Sequence, residues 1–429
     1  MLEQPLDPYP SIGSAETDAV VKVLRTGVLS GFYGSSGPEF HGGPTVRALE
    51  AAWRERFGVA HAVSVNSGTS GLQAALGAVG IGPGDEVIMP PYTMSATAVA
   101  PLIWGGIPVF ADIEPETFCI DVTKVREAIT RRTRAILVVN LFGHPARLAE
   151  LRAIAVEHDL WLIEDNAQAP LASEGGRLAG TVGHIGVYSL NVHKHIQSGE
   201  GGVCVTEDAD LAQRMTLIRN HGENLVEEFG LRGVPNLIGF NFRLSELSAA
   251  VALAQLRDID VHVERRERVA ETLTKETTGL NGWTAPSVRS GCRHNYYMWT
   301  VRYNAKATGV SRETFCHALR AEGFANEVGY TPPLYRLPVF RDRMGIGRDG
   351  YPFSLSDRKY VPGLCPVAER MSDHEVLQFQ PPAWDVDEGL ASLLAEAVHK
   401  VHRHADDLIA WENGERRAVP RPGISETSR

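Results

Sequence analysis

The amino-acid sequence predicts an α/β fold: a large, mostly parallel mixed sheet flanked by helices, followed by a smaller C-terminal α+β domain. Three observations predict it. Residues 61–206 alternate short Val- and Ile-rich runs with helical repeats, turn residues sit beside those runs, and the alternation stops after Asp208. Strands separated by helices make βαβ units, and such sheets are covered on both faces.

The apolar runs are "HAVSV" (61–65), "EVIMP" (86–90), "PVFADI" (108–113), "AILVVNL" (135–141), "WLIED" (161–165), "GVYSL" (186–190) and "GGVCVT" (201–206). Each is short and bounded by turn signals, so each reads as a strand. Between the first five lie "TSGLQAALGAV" (69–79), "SATAVAPLIW" (95–104), "DVTKVREAIT" (121–130) and "RLAELRAIAVEHD" (147–159). Their apolar residues recur at helical spacing. Further on, "ADLAQRMTLIRNH" (209–221) is helical, and residues 243–277 read as one very long helix or two joined ones. Strand-like "YYMWTVRYN" (296–304), helical "RETFCHALRAEG" (312–323) and a final helix near 389–411 make up the smaller domain. The expected division is 1–260 for the large domain with an N-terminal arm, 261–411 for the smaller one, and a polar, disordered tail at 412–429.

Composition narrows the function. With 429 residues, 43% of them apolar, the chain exceeds one ordinary domain of about 150 residues. A net charge of −10 argues against nucleic acid and anionic membranes as main partners. Cys119, Cys204, Cys292, Cys316 and Cys365 are scattered, with no CxxC and no metal spacing. Such usage fits reduced thiols and a cytoplasmic location. The N-terminus shows no signal-peptide pattern, and no apolar run reaches the roughly 20 residues of a membrane span.

Ligands of open α/β sheets sit at the carboxyl ends of the strands. After "HAVSV" comes Asn66-Ser67-Gly68-Thr69-Ser70-Gly71, running into a helix. Small residues leave backbone N–H groups open at a positive helix end, which makes a phosphate seat. A plain N-cap by Ser67 or Thr69 reads equally well. "WLIED" ends in Glu164 and Asp165, and one of them should point inward toward a cationic or N–H partner. An ordinary cap or ion pair accounts for those two residues as well.

The third feature is Lys194, in "YSLNVHKHIQSGEGGVCVTED". The other lysines, Lys22, Lys124, Lys275, Lys306, Lys359 and Lys400, lie in segments that read as helices or polar loops. Lys194 alone stands between a strand end and a Gly-rich turn. A crowded, desolvated lysine has a lowered pKa and a nucleophilic amine. His193 and His195, if protonated, would lower it further. Taken alone, His-Lys-His is more ordinarily a basic surface loop.

A phosphate seat, a carboxylate and a non-helical lysine are together the contacts that hold pyridoxal 5'-phosphate. Their order, in "VNSGTSGLQAAL", "GPGDEVIMPPYTMSATA", "IPVFADIEPETFCID", "LIEDNAQA", "YSLNVHKHIQSGEGGVCVT", "LIRNHGE" and "GFNFRLSELSAAVALAQL", resembles the sugar aminotransferases of the DegT/StrS family, among the fold-type I pyridoxal phosphate enzymes. The resemblance runs from about residue 8 to 260, and more loosely to about 410.

It implies roles. Lys194 would form the imine with the cofactor, and Asp165 would hold its pyridine N–H. Gln168 would lie near the ring hydroxyl, and Gly68, Thr69, Ser70 and Ser189 would bind the phosphate. Asn241, with Arg243 beside it, would reach the phosphate of a neighbouring subunit, making a homodimer with a shared active site. The amino donor would be glutamate or glutamine. The acceptor would be a keto-sugar, nucleotide-linked, in amino-sugar, antibiotic or polysaccharide biosynthesis, or alternatively a keto-cyclitol of the aminoglycoside type. A non-catalytic cofactor-binding regulator would be marked by an incomplete lysine, carboxylate and phosphate set, and this set is complete. Relatives that dehydrate sugars carry histidine at the lysine position, which disfavours dehydration here.

Two departures from the family pattern stand out. Met94 occupies the usual place of a ring-stacking aromatic, so either Met94 packs on the ring or Tyr92 swings in. A histidine usual near Tyr330 is absent. Tyr92, His193 and Tyr330 are the candidate substrate contacts. The Gly-rich residues 30–43 read as a lid, a dimer-contact loop or an ordinary surface loop.

Overall fold

A computed structural model describes residues 5–231, 236 and 238–414. Residues 415–429 of the expected disordered tail lie outside them.

The large sheet has seven strands: β1 (His61–Val65), β2 (Glu86–Met89), β3 (Ile107–Phe110), β4 (Thr133–Val139), β5 (Trp161–Asp165), β8 (Ile185–Ser189) and β9 (Gly202–Thr206). Two short strands, β6 (Ser173–Glu174) and β7 (Arg177–Leu178), lie between β5 and β8 in the chain and form a separate small sheet with β11 (Cys292–Arg293). The strand order is β1-β9-β8-β5-β4-β2-β3. All neighbours from β8 to β3 pair in parallel, while β9 runs antiparallel between β1 and β8. The sheet is therefore the mostly parallel mixed sheet that the alternating pattern predicts. Its strands are buried along nearly their whole length, which explains why they read as continuous apolar runs rather than alternating ones.

Helices α1 (Ser14–Thr26), α2 (Pro44–Phe57), α3 (Gly68–Ala78), α4 (Ser95–Val99), α5 (Val122–Ala128) and α6 (Leu148–Glu157) precede or link these strands, and α7 (Ala209–Arg219) follows the last of them. The helix expected over 95–104 ends at Val99, and a 3₁₀ turn follows over Pro101–Trp104. Pro101 has no N–H to continue the α-helical ladder. The long stretch ending at residue 277 forms two helices, α8 (Glu246–Arg257) and α9 (Ile259–Thr277), that break at Asp258.

Helix α9 passes from one core to the other. Its Ile259 and Val263 pack with the large-domain helices, while Val269, Ala270 and Leu273 join a second cluster. That cluster backs a four-stranded antiparallel sheet of β10 (Trp283–Thr284), β12 (Trp299–Tyr303), β13 (Glu327–Val328) and β14 (Val376–Phe379), ordered β10-β12-β14-β13. The final helical pattern breaks at His404, giving helices over Glu388–Arg403 and Ala405–Glu412. Among the described residues no helix is long and apolar enough to cross a membrane.

Residues 334–371 pack on the edge of the large sheet. Phe110 of β3 meets Tyr335, Phe340 and Tyr360 in edge-on or tilted contacts, and the Tyr360 hydroxyl donates to the Pro108 carbonyl at 2.8 Å. An apolar edge strand left bare invites aggregation, and this segment covers it. A buried ion pair anchors the cover. Glu86 of β2 is fully buried and accepts from both Arg358 (Nε and Nη2, each 2.9 Å) and Arg132 (2.8 Å). Burial pushes the Glu86 carboxyl up, but hydrogen bonds from Arg358 and Thr130 and the two guanidinium charges outweigh it, leaving it below the usual carboxylate range. Arg358→Ala should cost about 2–3 kcal/mol in urea or guanidinium unfolding, under the full buried-pair cost because Arg132 remains. The contribution is present above the unfolded-state carboxyl pKa and fades as pH falls below it, so the wild-type advantage should shrink in acid.

Candidate active site

Strand register assembles the site. Val65, at the end of β1, pairs with Gly202, which also pairs with Ser189 at the end of β8. One strand further, Val187 pairs with Asp165, which pairs with Val139. The three segments singled out in the sequence therefore end side by side at one edge of the sheet. Gly202 permits this closeness: a Cβ there would lie 2.8 Å from the Ser67 backbone and the Tyr188 carbonyl.

There the chain encloses a cavity of 390 Å³ lined by residues that include Ser67, Gly68, Thr69, Met94, Asp165, Gln168, Ser189, His193, Lys194, Tyr297 and Tyr330. Ser67 caps α3, its Oγ accepting from the Ser70 N–H at 3.0 Å. The cap and the phosphate seat are thus compatible, because the first N–H groups of a helix have no intrahelical partner. Gly68 and Thr69 border the cavity, and a Cβ on Gly68 would approach the Ser189 Cβ to 3.0 Å. Ser70 is the third residue of the expected phosphate set at this turn. It does not border the cavity, and its hydroxyl donates to Asn66 Oδ1 at 2.6 Å.

Alternation along β5 separates the two acids. Glu164 turns into the protein, where Asn140 and the N–H groups of Gly180, Val182 and Gly183 satisfy it. Asp165 turns to the cavity. Its carboxylate accepts from Thr97 Oγ1 at 2.8 Å and from the Ala167 N–H at 3.2 Å. Burial pushes the Asp165 carboxyl up; these bonds and the Lys194 charge oppose that.

Lys194 projects from the β8–β9 connection, and its Nζ donates to the Tyr297 hydroxyl at 3.3 Å. Burial lowers its pKa from 10.5 to about 8, against the raising pull of Asp165. The expected help from histidine charge is corrected here. His195 is buried, and that burial holds it well below its usual pKa, so it is neutral; His193 sits exposed at the mouth.

Gln168 accepts from the Phe142 N–H at 2.8 Å and donates to the Tyr330 hydroxyl at 3.0 Å, which orients Tyr330 on the cavity wall. Met94 is 56% exposed at the start of α4, over the cavity. Tyr92 is fully buried, edge-on to Phe142 and Tyr330 and outside the cavity lining. Tyr92 is thus held in the core, and of the two side chains only Met94 borders the cavity. Asn241 and Arg243 also lie outside the cavity of a single chain. The Asn241 carbonyl accepts from Asn66 Nδ2 at 3.4 Å, and Arg243 Nε donates to Asn220 Oδ1 at 2.6 Å. Thr97 and Tyr297 were missed by sequence reading. Thr97 is one helical residue among several small ones, and Tyr297 arrives from a segment 103 residues beyond Lys194.

The family model of the DegT/DnrJ/EryC1/StrS aminotransferases matches residues 16–376. The chain belongs to that family. It is a pyridoxal-phosphate-dependent aminotransferase of the fold-type I class. It is 36% identical to the L-glutamine:2-deoxy-scyllo-inosose aminotransferase of Streptoalloteichus tenebrarius, over 95% of this chain and 96% of that one. It is 34% identical to GDP-perosamine synthase of Caulobacter vibrioides, over 77% of this chain and 85% of that one. In structure it resembles S. venezuelae DesV in complex with a ketimine intermediate, with a TM-score of 0.76 and 30% identity over 90% and 94% of the two chains.

The site fits the cofactor on its own chemistry. It offers a helix start opened by glycine, a hydroxyl at Ser189, a carboxylate held by donors, and an amine whose pKa burial lowers to about 8. In this aminotransferase Gly68, Thr69 and Ser189 would take the phosphate, Asp165 the ring nitrogen and Lys194 the aldehyde.

Proposed function

We propose that this aminotransferase moves an amino group from glutamate or glutamine to a keto-sugar, nucleotide-linked, in a cytoplasmic biosynthetic pathway, and that it works as a homodimer. The observation that carries the reading is the pairing of Lys194 and Asp165 in one cavity. The amine is brought to a pKa of about 8 by burial and faces a carboxylate pinned by Thr97 and Ala167. Bound there, pyridoxal phosphate supplies the electron sink that lets the donor lose its Cα proton. The chain's residues do the rest. Asp165 holds positive charge at the ring nitrogen. Lys194 Nζ takes the donor proton and returns it, a general base tuned close to operating pH. Tyr297 keeps Nζ positioned between those transfers. Asn241 and Arg243, outside the cavity of their own chain, would complete the partner's phosphate site.

A second acceptor, a keto-cyclitol, is favoured by one observation. The scyllo-inosose aminotransferase matches 95% of this chain, whereas the nucleotide-sugar enzyme GDP-perosamine synthase matches 77%. The test is a panel of nucleotide-linked keto-sugars and keto-cyclitols with glutamine or glutamate, scored by formation of the amine. Amination of one class assigns the acceptor. If no ketone is aminated and the yellow holoenzyme keeps its colour with either donor, the proposal fails.

A further inference from the structure

Residues 5–13, ahead of α1, run as an arm across both domains. The arm starts on the smaller domain. Leu6 is buried in that domain's core, the Tyr9 N–H donates to the Ala383 carbonyl at 3.0 Å, and the Asp385 N–H donates to the Asp7 carbonyl at 2.8 Å. It ends on the large domain, where the buried Gln255 of α8 donates to the Ser11 carbonyl at 2.6 Å and to Glu16 at 2.8 Å. Between these ends Tyr9 lies on α9, the helix that passes from one core to the other. Its ring takes the guanidinium of Arg266 at 4.4 Å and that of Arg265 at 5.2 Å from the centroid, and its hydroxyl meets His262 Nδ1 at 2.8 Å.

Two of the arm's contacts lead to Lys194. In the same β8–β9 connection, Gln197 accepts from the Gly199 N–H at 2.9 Å, which fixes its amide and leaves Nε2 to donate to Ser11 Oγ at 2.9 Å. Gln197 is nearly buried, so that bond is not readily exchanged for one to water. The second route runs through Arg266, which is 3% exposed. A buried charge is ordinarily paired with an opposite one. Among the described residues no carboxylate pairs with Arg266; the Tyr9 ring, the Tyr9 hydroxyl and the His262 carbonyl meet its guanidinium instead. Its charge bears on the buried His195, next in sequence to Lys194. His195 in turn packs edge-on against Tyr297, whose hydroxyl meets Lys194 Nζ. The arm thus holds the connection that carries Lys194 without bordering the cavity itself.

We propose that the N-terminal arm is a positioning element for Lys194: Ser11 holds the connection through Gln197, and Tyr9 covers Arg266 and His195 behind it, so the arm keeps water from the protein side of the lysine and fixes where its amine stands. The inference rests on the role given to Lys194 above. Burial is what brings that amine to a pKa of about 8. The titratable groups that face it are Asp165 from β5, His195 from its own connection and Tyr297 from the smaller domain. Loosening the arm leaves those groups in the chain but admits water, which returns the amine toward its ordinary 10.5.

The test measures kcat of the full-length holoenzyme, and the pH midpoint at which pyridoxal phosphate and borohydride label residue 194 of the cofactor-free protein. Tyr9→Ala should lower kcat by about tenfold or more, as small displacements of a reacting group do. It should also raise the midpoint from about 8 to about 9 or higher. Tyr9→Phe keeps the ring on both guanidiniums and should restore most of the rate. Ser11→Ala should raise the midpoint by a smaller step. Arg358→Ala is the control: it weakens the fold through Glu86, away from the arm, and should leave the midpoint at about 8. An unchanged midpoint in Tyr9→Ala overturns the proposal whatever the rate, and so does a midpoint that rises as far in Arg358→Ala. If Tyr9→Ala does not fold, Ser11→Ala decides: a raised midpoint supports the arm's role and an unchanged one overturns it. A wild-type protein never labelled at residue 194 overturns the reading of Lys194 itself. Wild-type labelling near 8 that no arm variant moves overturns this inference alone.

Discussion

Lys194→Ala should abolish transamination, with kcat falling by about 10⁴-fold or more, because one amine serves both as cofactor anchor and as proton carrier. Cofactor retention should fall much less, since the phosphate seat and Asp165 remain. Two measurements check this: overall turnover, and borohydride trapping of pyridoxal phosphate on the protein, which should label residue 194 in wild type and nothing in the variant. Arginine should not rescue, as its guanidinium stays protonated throughout the accessible pH range. The pH dependence has a definite sign. Burial lowers the Lys194 pKa from 10.5 to about 8, so the neutral, reactive amine accumulates as pH rises through 8. The rate at which cofactor-free protein is labelled should climb with a midpoint near 8. A midpoint near that of an exposed lysine would mean that the buried environment does not act on this group.

Asp165→Asn should lower kcat by about 10²–10³-fold, the usual loss when a fixed electrostatic contact to the reacting system is removed. An amide cannot hold a proton on the ring nitrogen, while Thr97 and the Ala167 N–H still fix the side chain's place. The same substitution should move Lys194 the other way. Asp165 raises the Lys194 pKa, so its neutralisation should bring the labelling midpoint of the cofactor-free protein below 8. The variant would then be nearly inactive and yet carry a more readily labelled lysine at pH 7. General unfolding cannot produce that combination. An unchanged midpoint would show that the two groups do not share one field.

The site residues differ in how far the sequence revealed them. Lys194, Asp165 and the Asn66–Gly71 turn were legible because each breaks a local rule: a lysine outside a helix, an acid ending an apolar strand, a run of small residues opening a helix. Thr97 and Tyr297 break no rule where they stand. Their importance comes from what lies opposite, and no periodicity records that. Tyr92 shows the converse. An aromatic beside the ring-stacking position reads as a candidate from its neighbours in sequence, yet the pleat and the turn after β2 send it into the core between Phe142 and Tyr330. His195 reads as a charge beside Lys194, but burial leaves it neutral.

The sequence by itself determined the layered α/β architecture and the chemistry of the cofactor set, because strand and helix periods and the demands of a lysine, a carboxylate and a phosphate seat are local properties. The tertiary structure alone decided which acid faces the cavity and which residue tops it. Those outcomes depend on strand register and on packing between segments a hundred or more residues apart, where a shift of one position sends a side chain to the other face.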